Sequence, residues 1–299
     1  MIATAADGTE LHVEVTGTGP TILFLHEFAG DHRSWEPQVR HFSSSYRCVT
    51  YAARGYRPSG VPPDRTAYSQ QIAVTDAVAV LDAVGADWAH LVGLSMGGFC
   101  ALHLGIQFPE RCGSLTVAGA GYGAVPGQEG EFRAEAEAAA AGFRTDPGSA
   151  AQRYAHGPTR VQYREKDPRG WREFAAGLES HDGLGLANTL AGVQARRPSL
   201  AGLATELAAV KVPVLLMSGD EDDGCLEANL MLKRTMTSAA WAMLPRTGHT
   251  INLEEPAEFN RLLADFLHQI GVGSWRGRHP DSLGRGIVGM VDGQAAAGQ

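Results

Sequence analysis

The feature that most constrains the fold of this chain is a glycine-rich pentapeptide at 93–97, which reads G-L-S-M-G. It follows a short apolar run at 89–92 and precedes a segment with helical character. A strand that turns directly into a helix bends sharply, and glycines on both sides of Ser95 remove the Cβ atoms that would obstruct the bend. The amides that open the following helix favour negative charge beside the serine. The pattern therefore predicts a nucleophilic serine on a strand–turn–helix unit, with an ordinary glycine-rich turn as the alternative.

Strand and helix patterns alternate along much of the chain. Apolar runs predict strands at 11–15, 21–25, 47–51, 89–92, 114–118, 212–217 and 240–244, and apolar positions at helical spacing predict helices at 69–84, 97–108, 226–236 and 256–267. Alternation of this kind predicts an α/β fold, with a mostly parallel central sheet flanked by helices. It stops between 122 and 203, where prolines recur and 129–142 is alanine-rich. This stretch is predicted to be a helical insertion that lies over the sheet.

Composition excludes several classes of function. The formal net charge of −8 argues against a nucleic-acid partner. The N-terminus lacks the basic and apolar regions of a secretory signal, and the longest apolar stretches are too short to cross a bilayer. The cysteines have no paired metal-ligand spacing, so they are expected to be free, buried thiols (Cys48, Cys100, Cys112 and Cys225). These observations predict a cytoplasmic protein with no nucleic-acid, membrane or metal partner.

A nucleophilic serine needs a base and a group that orients that base. Downstream of Ser95, the acidic loop G-D-E-D at 219–222 follows one predicted strand, and Gly248-His249 follows the next. Strands of a parallel sheet present their carboxyl ends at one edge, so these groups are expected to meet. Asp222 is the preferred acid because of its spacing from Gly219, and Asp223 is the alternative.

On these residues the chain resembles the α/β-hydrolase fold superfamily over residues 8–271, and the sequence T-I-N-L-E-E-P after His249 is similar to the usual surroundings of its histidine. Within it, the chain looks most like bacterial esterases, enol-lactonases, cofactor-free haloperoxidases and carbon–carbon bond hydrolases. The resemblance implies that Ser95 is the nucleophile, Asp222 orients the histidine and His249 is the base. It implies no metal and no organic cofactor.

The resemblance also implies an oxyanion hole formed by the backbone amides of Met96 and Phe28. The loop that holds Phe28 reads H-E-F-A-G at 26–30, where the family usually has His-Gly, so Glu27 departs from the pattern. One interpretation is that Glu27 faces solvent or pairs with Arg33 or Arg54. The other is that its carboxyl group positions substrate or water. His26 is expected to hold the loop together.

The resemblance divides the chain into a hydrolase core at 1–121 and 204–271, a helical lid at 122–203 and a glycine-rich C-terminal tail at 272–299. The aromatic and histidine side chains of the lid region are expected mostly to pack in its core, while a few line a largely apolar pocket facing Ser95 (Tyr122, Phe132, Phe143, Tyr154, His156, Tyr163, Trp171, Phe174 and His181). The arginines of this region are balanced by carboxylates, so no anionic substrate is inferred. The tail could be flexible, a mere extension or a segment ordered by a partner subunit.

These inferences predict a serine hydrolase that cleaves a small or medium, fairly apolar carboxylic ester or lactone through an acyl-enzyme on Ser95. Its partner is a small-molecule substrate, and a homo-oligomer is compatible with the sequence. Two alternatives stay open: hydrolysis of a carbon–carbon bond in a diketone, or of an amide, by the same residues; and a hydrolase-fold binding protein with little turnover. Because relatives that hydrolyse epoxides or haloalkanes carry aspartate at the elbow, Ser95 disfavours those activities.

Overall fold

Eight strands form one sheet in the computed structural model, which describes residues 1–283. The strands are β1 (Ile2–Thr4), β2 (Glu10–Thr16), β3 (Thr21–Leu25), β4 (Arg47–Tyr51), β5 (Ala89–Leu94), β6 (Cys112–Ala118), β7 (Val214–Gly219) and β8 (Ala239–Leu244). Their spatial order is β1-β2-β4-β3-β5-β6-β7-β8. β2 is antiparallel to β1 and β4, and all other neighbours are parallel. The mostly parallel sheet is confirmed, and β1 is an edge strand that the sequence analysis did not predict.

Helices pack on both faces of this sheet. The α-helices are α1 (Glu36–Phe42), α2 (Gln70–Ala83), α3 (Met96–Gln107), α4 (Glu129–Thr145), α5 (Pro147–Ala155), α6 (Val161–Lys166), α7 (Pro168–Glu179), α8 (Gly183–Gly192), α9 (Ala204–Ala209), α10 (Asp223–Thr235), α11 (Ile251–Glu254) and α12 (Pro256–Gly271). Successive side chains of β3 point to opposite faces. Leu23 and Leu25 join a core with residues of α2, α3 and α10, whereas Ile22 and Phe24 join a core with residues of α1 and α12. This arrangement explains why the strands are continuous apolar runs.

Some of the prolines between β6 and β7 begin helices rather than interrupt them. Pro147 and Pro168 are the first residues of α5 and α7. The side chains of the preceding Asp146 and Asp167 accept hydrogen bonds from backbone amides in the first turn. Proline suits the first helical position because its missing N–H would have no partner there, and aspartate is a favoured cap. The break in alternation at 122–203 is therefore a run of helices, α4 to α8, in which aspartate caps α5, α7 and α8.

These helices pack over the carboxyl end of β3 and the start of α3. One apolar cluster contains Phe28 and Met96 together with Phe143, Leu178 and other residues of α4 to α8. The rings of Phe28 and Phe143 meet edge to face, with centroids 5.6 Å apart. The segment thus covers the two loops from which the sequence predicts the oxyanion hole to be built.

The first part of the predicted tail contacts the core. The Trp275 ring packs against Phe266 of α12, with centroids 4.5 Å apart, and its indole N–H donates to the Ser238 carbonyl at 3.3 Å. The Arg278 amide donates to the Thr237 carbonyl at 2.7 Å. Residues 272–283 are therefore attached beside β8, and the rest of the predicted tail, 284–299, lies outside the described residues.

Two further expectations concern cysteines and membranes. All four cysteines are buried and free, as predicted. Within residues 1–283, no helix combines the length and the apolar character that crossing a membrane requires.

Three buried histidines make the stability of the fold depend on pH. Burial lowers the pKa of His90, His103 and His181 to about 4, from an ordinary value near 6.5. Between these pH values the unfolded chain binds protons at these histidines that the folded chain does not. Their contribution to the free energy of unfolding is therefore fully present above pH 6.5 and is lost as the pH falls toward 4. We expect each histidine to lower the free energy of unfolding by about 2 kcal/mol between pH 7 and pH 5. Urea unfolding at both pH values tests this. The loss should shrink in His103→Leu, and an unchanged loss in that variant would contradict the assignment.

Candidate active site

Ser95 lies at a strained bend between β5 and α3. Its backbone φ of 53° and ψ of −111° are unusual for a residue with a side chain. Its amide donates to the Ala118 carbonyl at 2.7 Å, which ties the bend to the end of β6. A Cβ on Gly93 would overlap the Gly97 carbonyl, and a Cβ on Gly97 would overlap the Leu25 carbonyl. The glycines of the pentapeptide therefore allow the close approaches that hold Ser95 at the apex.

The loops after β7 and β8 bring an acid and a histidine together. Nδ1 of His249 lies 2.7 Å from Oδ2 of Asp222, and both residues are buried. Burial alone would raise the pKa of Asp222, but the adjacent His249 outweighs it, and the pKa is lowered. An ionised carboxylate only accepts hydrogen bonds, so Nδ1 carries the proton and Nε2 keeps its lone pair. Asp223, the alternative acid, is the exposed first residue of α10.

Tyr122 is a further partner of Asp222. Its hydroxyl donates to Oδ1 of Asp222 at 3.0 Å, and its ring meets the His249 ring edge to face at 5.5 Å. Burial raises the pKa of Tyr122, which keeps the hydroxyl protonated and able to donate. From the sequence, Tyr122 is predicted only as one aromatic residue of the inserted region, because no motif marks its position after β6.

Ser95 and His249 line one cavity of about 240 Å³. The hydrogen bonds of residues 1–283 do not include one between these two side chains, and such contacts are often long before substrate binds. Of the nine aromatic and histidine residues expected to divide between core and pocket, Tyr122, Phe132 and Tyr154 line the cavity. The other cavity-lining residues are mostly apolar or small, with Glu135, Gln194 and Arg197 as the exceptions (Phe99, Ala136, Ala139, Gly157, Pro158, Thr159 and Leu190).

The loop after β3 is held by His26. The Ala53 amide donates to Nε2 of His26 at 3.0 Å, so the proton of the ring is on Nδ1, which donates to the Glu27 carbonyl at 2.7 Å. Burial lowers the pKa of His26, which favours this neutral form. The Tyr56 hydroxyl donates to the Phe28 carbonyl at 2.8 Å. His26 therefore holds the loop in place, as the sequence predicts.

The predicted oxyanion hole consists of the backbone amides of Phe28 and Met96. Met96 is the first residue of α3, where a helical N–H has no partner within the helix. Within the described part of the chain, neither amide donates a hydrogen bond to another residue. Neither residue is among those that line the cavity with Ser95 and His249, so an oxyanion hole formed by these two amides stays a prediction.

The first interpretation of Glu27, that it faces solvent or pairs with Arg33 or Arg54, is wrong. Its side chain is 2% exposed, and Nη2 of Arg160 donates to its Oε2 at 2.5 Å, so it neither faces solvent nor pairs with Arg33 or Arg54. Those two arginines pair elsewhere, with Asp31 and Asp76. Sequence proximity suggested the wrong partners because Arg160 is brought to Glu27 by the path of the inserted helices.

Arg160 links three parts of the site. Besides Glu27, it contacts Thr250, the neighbour of His249, by donating from Nη1 to the hydroxyl at 2.5 Å. Its guanidinium lies over the rings of Tyr154 and Phe174, 5.5 and 5.1 Å from their centroids. Burial alone would lower the pKa of Arg160, but the nearby Glu27 raises it, so the guanidinium stays charged. No sequence signal identified this residue.

Within residues 1–283, two side-chain clusters each bring three potential metal-ligand atoms within 4.8 Å of one another. One consists of Asp222, Cys225 and His249, and the other of His12, Glu14 and His32. In the first cluster Asp222 and His249 already bind each other. Burial there raises the pKa of Cys225, which keeps the sulfur as a thiol, whereas metals bind the thiolate. The expectation that this chain needs no metal and no organic cofactor stays a prediction.

This chain is similar to several known proteins in sequence and fold. A family model described as the alpha/beta hydrolase fold matches residues 20–256. The 3-oxoadipate enol-lactonase 1 of Acinetobacter baylyi is 28% identical over 90% of this chain and 97% of its own. The 2-hydroxy-6-oxo-6-phenylhexa-2,4-dienoate hydrolase of Comamonas testosteroni is 27% identical over 87% of this chain and 91% of its own. The solved enol-lactonase of Burkholderia xenovorans LB400 superposes with a TM-score of 0.78 at 24% identity, covering 90% of this chain and 100% of that one.

Proposed function

Because the chain belongs to the alpha/beta hydrolase fold family, we propose that it is a serine hydrolase that cleaves a small or medium carboxylic ester or lactone through an acyl-enzyme on Ser95. The observation that carries the proposal is the hydrogen bond between Asp222 and His249, since His249 lines the same cavity as Ser95. Since Asp222 occupies Nδ1, the lone pair on Nε2 is the one that can take a proton from the serine. Ser95 then acts as the nucleophile, His249 as the base, and the Asp222 carboxylate as the group that orients the base.

In the first half of the reaction, the Ser95 oxygen attacks the substrate carbonyl carbon, and its proton passes to Nε2 of His249. The negative charge that forms on the carbonyl oxygen is bound by the amides of Phe28 and Met96. His249 then gives the proton to the leaving oxygen as the ester C–O bond breaks. In the second half, water attacks the acyl-enzyme by the same route, and the acid and free Ser95 are released. Asp222 stabilises the imidazolium that forms in each half.

We also propose that the inserted region 122–203 is a lid that shapes the substrate cavity. Its residues supply most of the cavity wall, including Phe132, Tyr154 and Leu190. It packs directly on Phe28, so closing it would exclude water from the proposed oxyanion hole. The mainly apolar wall supports a fairly apolar substrate body. A lactone is supported by the enol-lactonase relative, and a diketone by the dienoate hydrolase relative.

A fluorophosphonate probe tests the proposed nucleophile. We expect the wild-type protein to be labelled and the label to be located on Ser95 by peptide mass spectrometry, because the probe reacts only with activated serines. Ser95→Ala should not be labelled. If wild-type protein stays as unlabelled as Ser95→Ala, the chain is a binding protein and the proposed hydrolase is wrong.

A substrate panel tests the type of bond. We expect hydrolysis of p-nitrophenyl esters of graded chain length, or of lactones, to exceed hydrolysis of a vinylogous diketone of similar size. The panel should be run beside Ser95→Ala to subtract spontaneous hydrolysis. A diketone turned over far better than any ester or lactone would instead identify a carbon–carbon bond hydrolase.

A further inference from the structure

Arg197 is a cation fixed on the wall of the cavity that contains Ser95. Its guanidinium carbon lies 3.5 Å from the centroid of the Phe99 ring and 4.9 Å from that of Phe132. Nη2 donates to the Tyr122 carbonyl at 2.6 Å. Two aromatic faces and one hydrogen bond therefore determine where the charge lies.

The charge of Arg197 is not neutralised by the protein. Within residues 1–283, no carboxylate oxygen lies within 4.0 Å of its side-chain nitrogens, whereas the buried Arg54 and Arg160 each contact a carboxylate. Glu135 lines the same cavity but is exposed and forms no ion pair with it. The expectation that the arginines of the inserted region are balanced by carboxylates is therefore wrong at this position, because Arg197 turns toward the cavity rather than toward an acidic side chain.

One donor group of Arg197 also lacks a partner. Nη1 is buried and donates to no hydrogen-bond acceptor of the described residues. Burial lowers the pKa of Arg197 to about 9, which still leaves the guanidinium charged at neutral pH. Burying a charged donor without an acceptor costs free energy because the donor loses its hydrogen bonds to water. A bound anion that accepts from it would remove this cost. Arg197 therefore lines the cavity as a charged group with one donor that no acceptor of residues 1–283 satisfies.

We propose that Arg197 is the binding subsite for a carboxylate on the substrate, so that the cavity takes an ester or lactone bearing one negative charge beside its apolar body. This rests on the proposed hydrolase function. A single cation matches a singly charged carboxylate better than a doubly charged phosphate, because no second cation lines this cavity among the described residues. A cavity of about 240 Å³ is suited to a small acid.

Binding to Ser95→Ala tests the subsite without turnover. The probes are monomethyl glutarate, which carries one charge, and dimethyl glutarate, which is nearly the same size and neutral. By isothermal titration calorimetry we expect the acid to bind about 10- to 100-fold more tightly, as one charged hydrogen bond allows. In Ser95→Ala with Arg197→Gln this preference should vanish. With Arg197→Lys, which keeps the charge, part of it should return.

Arg133→Gln is the matched control, since Arg133 lies in the same region, donates to the Ala195 carbonyl and does not line the cavity. The preference for the acid should persist in this variant. Equal binding of both probes, or a preference that survives Arg197→Gln, would overturn the subsite. Fluorophosphonate labelling of Arg197→Gln with Ser95 intact checks that the site still folds. If wild type is not labelled but the preference depends on Arg197, the subsite stands and the hydrolase function fails.

Discussion

Asp222→Asn is expected to lower kcat/KM about 10⁴-fold, whereas Asp223→Asn, the same chemical change one residue later, should change it less than about threefold. Asp222 is 1% exposed and accepts from Nδ1 of His249 at 2.7 Å. Asparagine has no charge to stabilise the imidazolium, and its amide can donate to Nδ1, which moves the ring proton to Nε2 and removes the base. Asp223 is exposed at the start of α10 and contacts neither His249 nor the cavity.

The measurement is kcat/KM for the best ester or lactone of the substrate panel, together with the rate of fluorophosphonate labelling of Ser95. Both should fall in Asp222→Asn and be nearly unchanged in Asp223→Asn. Circular dichroism and urea unfolding would show that both variants are folded. Comparable losses in the two variants, or no loss in Asp222→Asn, would refute the role of Asp222 and leave the histidine without its proposed orienting acid.

Arg160→Met is expected to destabilise the fold by about 3–5 kcal/mol, because it leaves the Glu27 carboxylate buried without its cation. Glu27 and Arg160 are 2% and 1% exposed. The double variant with Glu27→Gln removes the stranded charge, so it should recover part of the loss. The matched control is Arg169→Met: Arg169 pairs with Glu173 at 3.1 Å in α7, but both side chains are exposed, so the expected loss is below about 1 kcal/mol.

Urea unfolding of wild type, both single variants, the double variant and the control completes a double-mutant cycle for this ion pair. A loss in Arg160→Met no larger than in Arg169→Met would show that the buried pair does not stabilise the fold. Activity offers a second measurement. Because Glu27 precedes Phe28, an altered pair should shift the proposed oxyanion amide and lower kcat by up to about 10²-fold, the cost of losing one such donor.

Local patterns in the chain predicted most of the strands, the glycine turn around Ser95 and the order of the site residues. Strands such as β3 are buried on both faces and so must be continuous apolar runs, and glycine at 93 and 97 is required where backbone carbonyls approach. The order of the serine, the acid and the histidine, each after a strand, predicted which residues converge. What was less visible was β1, an edge strand of three residues whose short pattern resembles many loops.

Partners across long stretches of chain could not be predicted in the same way. The Glu27 carboxylate was expected to pair with a cation if it did not face solvent, and Arg33 and Arg54 were the predicted partners because they lie close in sequence. The fold pairs it with Arg160 instead, since hydrogen bonds depend on distance in space and not in sequence. For Arg197 the sequence predicted a carboxylate partner that the structure does not contain within residues 1–283. Counting charges suggested balance, but the count does not reveal which cation faces a carboxylate and which faces a cavity.

The sequence by itself determined the class of fold and the strained serine turn, because both follow from short-range rules: apolar periodicity sets strands and helices, and the absence of a Cβ sets where the backbone can bend. Only the tertiary structure decided the buried pair of Glu27 with Arg160, the hydroxyl of Tyr122 on Asp222 and the unpaired charge of Arg197. Each of these depends on which side chains meet when distant segments pack, and electrostatic and hydrogen-bond energies are fixed only once those distances and the burial around them exist.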